Sequence, residues 1–218
     1  MSEIKRLIPN TMIPKGFIVF ISGVPGVGKT TISYELLKQC NEFRIIQETD
    51  LIREILRGYN DYLEAEIANK DIIKGIYEKI SIPDHMKIFN FEELKEQCLI
   101  MKRSIEKIVA RQQRKGISSV INGVHIVPEV LNGMGLNHNI VYVNLYINSK
   151  SDLRSRLSGR DEQKYMPYLD VSFDANCSLY DSTSLLSLEQ PYTFTNIDVT
   201  CLTVDQVVEK VIKFLKRS

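Results

Sequence analysis

A chain of 218 residues is sized for one α/β domain, alone or with a small insertion, and its 44% hydrophobic content suffices for a sizeable core. A formal net charge of +1, with no basic or acidic block, argues against nucleic acid or a membrane surface as a partner. No apolar run reaches the ~18 residues of a membrane span. Met1 to Lys15 carries no apolar signal core, and Cys40, Cys98, Cys177 and Cys201 fit neither zinc nor disulfide spacing, so buried, reduced thiols in a cytoplasmic protein are expected.

Residues 17–22, FIVFIS, form a continuous apolar run of the kind a buried central strand needs. A glycine-rich turn follows, and then TTISYELLKQC sets Ile32, Leu36, Leu37 and Cys40 at helical spacing. A second strand is expected over 44–48, RIIQE. Thr49 and Asp50 stand where a helix cap belongs, ahead of LIREILRG, with Leu51, Ile55 and Leu56 as its apolar side and Gly58 as its stop. Residues 59–90 are polar and broken by Pro83. Over 91–115 the longest helical pattern puts Leu94, Cys98, Met101, Ile105, Ile108 and Val109 on one stripe, ended by Gly116. Together, 59–115 reads as a helical insertion near the substrate side.

ISSVING then reads as a strand, VHIVPEVL follows it, and IVYVNLYI at 140–147 is a further strand. SKSDLRSRL is a helix entered through Ser149 or Ser151, and a polar stretch at 158–168 precedes a helix within 170–189. The strand YTFTNI and the terminal helix TVDQVVEKVIKFLK complete the chain. Such alternation implies a three-layer α/β sandwich with a parallel sheet of about five strands covered on both faces, here with a helical lid region over 154–190. One domain over 1–218 is expected, in an oligomeric state the sequence does not fix, a homodimer included.

Gly23-Val24-Pro25-Gly26-Val27-Gly28-Lys29-Thr30 fits the pattern G-x-x-x-x-G-K-[ST], a P-loop, with Thr31 next. Glycines let the backbone turn its N–H groups inward onto phosphate oxygens, and a helix starting near Lys29 adds its positive end. Lys29 reaches the β- and γ-phosphates, and the Thr30 hydroxyl is a Mg²⁺ ligand, so residues 23–31 are expected to hold ATP with Mg²⁺. No guanine-reading Asn-Lys-x-Asp follows a strand, and the strand before Gly123 ends in Val120-Ile121-Asn122 rather than Asp-Glu. Neither a GTPase switch nor a mechanical ATPase is supported.

Asp50, at the tip of the second strand, is placed to take the proton of an attacking hydroxyl or to help hold Mg²⁺; capping the helix is its other reading. Arg53, one turn on, and Arg57, a further turn, could hold an anionic acceptor or lie as solvated surface arginines. Arg154, Arg156 and Arg160, with Lys164, follow the fourth strand where a lid belongs; Arg156 and Arg160 are candidates to neutralise charge on the transferred group. His125 in Gly123-Val124-His125 contacts a substrate or braces the turn, and three well-separated histidines do not suggest a metal site. The nucleotide base is expected near Asn196 to Thr200.

Ile21 to Thr31, the helix Glu48 to Arg57 and the turn Ile121 to Pro128 together resemble the 2-phosphoglycerate kinase family. The resemblance covers 17–57 and 117–147; beyond these only the layout is similar. It implies transfer of the ATP γ-phosphoryl group to a hydroxyl of a small, anionic metabolite, with Asp50, Arg53 and His125 in the site. Asn122 stands where the family commonly has an acid, which puts more of the metal binding on Thr30 and Asp50. Alternatives are a kinase for another hydroxyl (an antibiotic, a sugar nucleotide, a nucleic-acid 5′-end) or a nucleotide-dependent regulatory module.

Overall fold

Two strands buried at every position, β1 (Ile18–Ser22) and β3 (Ser118–Asn122), form the middle of the sheet. The computed structural model describes residues 13–62, 90–133 and 139–217. Around β1 and β3 lie β2 (Phe43–Glu48), β4 (Ile140–Tyr146) and β5 (Phe194–Asp198), in the order β2-β3-β1-β4-β5. All four pairings are parallel. Strands buried on both faces need apolar side chains in both directions, which is why these segments read as runs rather than alternations.

The register brings the carboxyl ends level: Glu48 stands beside Asn122, Asn122 beside Ile21, and Ser22 beside Asn144. The chain leaves β1 toward β2 on one side and later crosses to β4 on the other. Such a reversal of strand order opens a crevice at the carboxyl end of β1. A polar chain crosses the same end of the sheet. Ser22 Oγ donates to Asn144 Oδ1 (3.1 Å), Asn144 Nδ2 to Asn196 Oδ1 (2.7 Å), and Asn196 Nδ2 to Ser184 Oγ (2.9 Å) and the Tyr180 carbonyl (3.1 Å).

The helices are α1 (Lys29–Gln39), α2 (Thr49–Tyr62), α3 (Phe91–Lys115), the single turn α4 (Pro128–Leu131), α5 (Lys150–Tyr165), α6 (Leu169–Glu189) and α7 (Val204–Leu215). Gly116 ends α3 in the left-handed region, as the sequence predicts, and Asn90, which the sequence reading did not single out, caps it by accepting from Glu93 N at 2.8 Å. Its stripe is buried except for the partly buried Ile108, and Gln97 and Gln112 are buried with it. One face of α3 therefore packs into the core. Ser149, not Ser151, caps α5.

Three expectations change. Leu51 and Ile55 are exposed, and the buried positions of α2 are Thr49, Ile52 and Arg53, because this helix turns its polar first-turn face toward the ends of β2 and β3. Gly58 does not stop α2, which runs on to Tyr62; a lone glycine costs a helix only about 1 kcal/mol. Cys40 and Cys98 are buried, but Cys177 and Cys201 are exposed, and all four are free. In the 154–190 region, α6 buries Ala175, Asn176, Leu179 and Thr183, so this helix is part of the core. Residues 63–89, with Pro83 and His85, and residues 134–138, with His138, lie outside the described residues. Among the described residues no helix is long and apolar enough to cross a membrane.

Candidate active site

The loop after β1 closes on itself because Gly23 (φ 135°) has no side chain: a Cβ there would run into the Leu145 carbonyl and, at 2.8 Å, into Val27. The loop ends at Gly28, which precedes the first turn of α1. Lys29 Nζ donates to the Val24 carbonyl at 2.9 Å, spanning the loop from inside. Behind it, Ser33 Oγ donates to the Lys29 carbonyl (2.8 Å) and Asn122 Nδ2 to Ser33 Oγ (2.9 Å), which ties the end of β3 to α1. Asn122 is thus occupied by the loop's own helix. Burial pulls the Lys29 ammonium down to about 8; Asp50 opposes this, Arg160 adds to it and Glu48 opposes it.

Above this loop is a crevice. Pro25, Lys29 and Thr30 of the loop and the first turn of α1 line it together with Glu48, Asp50 and Arg53 from the end of β2 and the start of α2. Asn122, Gly123 and Val124 also line it, as do Arg160, Lys164 and Tyr165 of α5. Four cationic side chains (Lys29, Arg53, Arg160, Lys164) face two carboxylates there. Such a field suits a multiply charged phosphate chain. Hard cations such as Mg²⁺ take oxygen ligands, and the exposed Thr30 hydroxyl with the Glu48 and Asp50 carboxylates supplies them on this crevice.

No family model matches the chain. It is 28% identical over 169 residues to the 2-phosphoglycerate kinase of Methanocaldococcus jannaschii, covering 71% of this chain and 51% of that protein. With the 2-phosphoglycerate kinase of Pyrococcus horikoshii the identity is 28% over 195 residues, covering 77% of this chain and 63% of that protein. The chain resembles the 2-phosphoglycerate kinases. It spans only 51% to 63% of the length of these relatives. In fold it is similar to a gluconokinase from Sinorhizobium meliloti (TM-score 0.50, 14% identity, 94% of each chain). A shikimate kinase from Acinetobacter baumannii, in complex with shikimate, gives a TM-score of 0.50 at 14% identity over 93% of this chain and 92% of that one. The architecture is that of a P-loop NTPase.

In this 2-phosphoglycerate kinase-like chain the predicted residues divide into two groups. Pro25, Lys29, Thr30, Asp50, Arg53 and Arg160 share the crevice. Asp50 is exposed, in the first turn of α2, with Arg53 Nη1 3.6 Å from its Oδ1. Arg53 is buried and also meets Glu54 at 3.3 Å. The other residues do not line the crevice. Arg57 pairs with Glu54 at 2.9 Å, and Thr31 is exposed on α1. Arg156 Nη2 donates to the carbonyls of Val199 (2.6 Å) and Thr200 (3.3 Å), so it binds the loop after β5, where the base is expected. Arg154 is exposed.

His125 is completely buried beneath the wall that carries Asp50. Its Nδ1 shares a 2.9 Å hydrogen bond with Thr49 Oγ1 and lies 3.7 Å from Asp50 Oδ1, while Nε2 has no partner among the described residues. Burial pulls its pKa down to about 4; Asp50 opposes this, and Arg53, Lys29 and Arg57 add to it. A neutral imidazole that braces the junction of β2 and α2 is the result. Gly123 completes the brace, since a Cβ there would collide with the Thr49 side chain. Sequence reasoning missed Glu48 and Tyr165. Glu48 could have been found by the logic applied to Asp50, because it too ends β2. Nothing in the spacing marks Tyr165.

Proposed function

We propose that this protein is an ATP-dependent kinase that phosphorylates a hydroxyl of a small, anionic metabolite similar to 2-phosphoglycerate. The observation that carries this reading is the juxtaposition of the P-loop Lys29 and Thr30 with Asp50 and Arg53 around one cationic crevice. Lys29 and the loop amides would hold the β- and γ-phosphates, and Thr30 with Glu48 would supply oxygen ligands to Mg²⁺. The ion, when bound, neutralises phosphate charge and orients the γ-phosphoryl group. Asp50 takes the proton of the acceptor hydroxyl, its other reading being a helper in the Mg²⁺ site. Arg53, held by Asp50 and Glu54, offers a guanidinium fork to a carboxylate or phosphate on the acceptor. Arg160 meets charge that develops on the transferred group, and the lid keeps water from competing with the acceptor. Residues after β5 receive the base, with Arg156 fixing their backbone.

The test is an acceptor screen with ATP·Mg²⁺ across hydroxy acids, phosphorylated hydroxy acids, sugars, nucleosides and aminoglycosides, read as phosphorylated product. An anionic hydroxy compound is expected to give the highest kcat/KM, and Arg53→Lys to raise its KM while leaving ATP affinity unchanged. A neutral acceptor with high kcat/KM, indifferent to Arg53→Lys, would overturn the anionic acceptor.

A further inference from the structure

Arg160 and Lys164 present a physical problem. Both line the same crevice as Lys29, and Arg160 is close enough to help pull the Lys29 ammonium down. The crevice's cations outnumber its two carboxylates, Glu48 and Asp50, so they repel one another on balance, and long side chains have rotamers that would carry Arg160 and Lys164 into solvent. No carboxylate pairs with Arg160 or Lys164 among the described ion pairs. What faces them instead is a ring. The Arg160 guanidinium lies 5.7 Å from the centroid of Tyr165, and Lys164 Nζ lies 5.5 Å from the same centroid. Both distances fall within the range of a cation–π attraction. The ring is 8% exposed and itself lines the crevice.

The backbone explains how one ring meets both cations. Asp161 has non-helical angles (φ −171°, ψ 97°), which split α5 between Arg160 and Lys164. Asp161 Oδ1 then accepts from Lys164 N at 3.1 Å and restarts the helix. Without that break the two cations would follow one continuous helical spacing. With it, one stands before the kink and one after it, and Tyr165 sits at the end of the restarted turn.

We propose that Tyr165 is a positioning residue of the phosphate site: its buried ring holds Arg160 and Lys164 over the P-loop crevice before any phosphate is bound. The ring acts through the two cations and takes no part in proton transfer. Pre-placing them removes the ordering cost that the phosphate chain would otherwise meet on binding. This inference deepens the kinase reading, but it concerns phosphate-chain binding and can be measured without turnover.

The experiment is calorimetric binding of inorganic tripolyphosphate with Mg²⁺ to the full chain and its variants, with a thermal melt for each. Tyr165→Phe keeps the ring face and is expected to bind within about twofold of wild type. Tyr165→Leu and Tyr165→Met remove it and are expected to weaken binding about tenfold, the loss of one buried cation–π contact or more. Two truncations are made so that one that fails to fold leaves the other to read. In an Arg160→Ala/Lys164→Ala background the Tyr165 change is expected to have no further effect, whereas a merely structural role would weaken both backgrounds alike. A folded Tyr165→Leu or Tyr165→Met that binds tripolyphosphate like wild type overturns the proposal, as does an equal loss in Tyr165→Phe. A wild type that binds tripolyphosphate but phosphorylates no acceptor would overturn the kinase reading and leave these comparisons intact.

Discussion

Asp50→Asn separates the chemistry of the crevice from the stability of the fold. The carboxylate is exposed in the first turn of α2, 3.6 Å from Arg53 Nη1. Two small stabilising effects leave with its charge. An ion pair open to solvent contributes about 0.5 kcal/mol after screening, and a carboxylate at the positive end of a helix contributes about 0.5 kcal/mol. Their loss, about 1 kcal/mol, lowers the melting temperature of a chain this size by roughly 2–4 °C. Losing the proton acceptor lowers turnover by ~10²-fold or more, which corresponds to ~3 kcal/mol of barrier. The two expectations differ enough to be read independently, by thermal melting and by acceptor-dependent ADP release. A variant with a slightly lowered melt and turnover close to wild type would refute the catalytic assignment and leave Asp50 as an N-terminal charge on α2.

Gly123→Ala is expected to destabilise by about 1–3 kcal/mol in urea unfolding, as over-packing does, because the added methyl would occupy the space of the Thr49 side chain. A midpoint equal to wild type would contradict the brace. His125 titrates near 4 when folded, below its ordinary value of 6.5, so the unfolded chain binds more protons between those limits. Its contribution to stability is complete above about pH 6.5 and is lost as pH falls through about 4; His125→Gln should flatten that part of the stability profile. Ellman's reagent should titrate two thiols in the native chain, Cys177 and Cys201, and all four in denaturant, since Cys40 and Cys98 are buried and burial pushes their thiols up to about 11 and about 12. Reaction of a third native thiol would show that one of the buried sites opens. Lys29→Ala should fold normally and lose tripolyphosphate binding in calorimetry; unchanged binding would remove the P-loop from the site.

The elements legible in the sequence were those in which local and global demands agree. FIVFIS is apolar on both faces because β1 is central, and Gly116 and Ser149 mark helix ends by their own angles or hydrogen bonds. The P-loop was legible for a related reason, since phosphate binding constrains the backbone and the backbone constrains the glycines. On α2 the apolar side is not the inward one. There the inward side meets polar strand ends, so Arg53 is buried while Leu51 and Ile55 stay in solvent. The role of His125 needed the third dimension, since only the packing of β3 beside β2 puts it under Thr49. Tyr165 was illegible because its partners straddle a break in helical geometry that no spacing rule anticipates.

The hydrogen-bonded chain from Ser22 through Asn144 and Asn196 to Ser184 has an evolutionary corollary. Losing a partner of the buried Ser22 or Asn144 strands a donor or acceptor away from water, at about 1–3 kcal/mol for each buried group left unmet, whereas exchanging both for apolar side chains of similar shape can be close to neutral. Intermediate genotypes are therefore the expensive ones. Residues more than a hundred positions apart along the gene are bound to a shared fate, and lineages should carry the whole set or a wholly apolar substitute, with few surviving mixtures between.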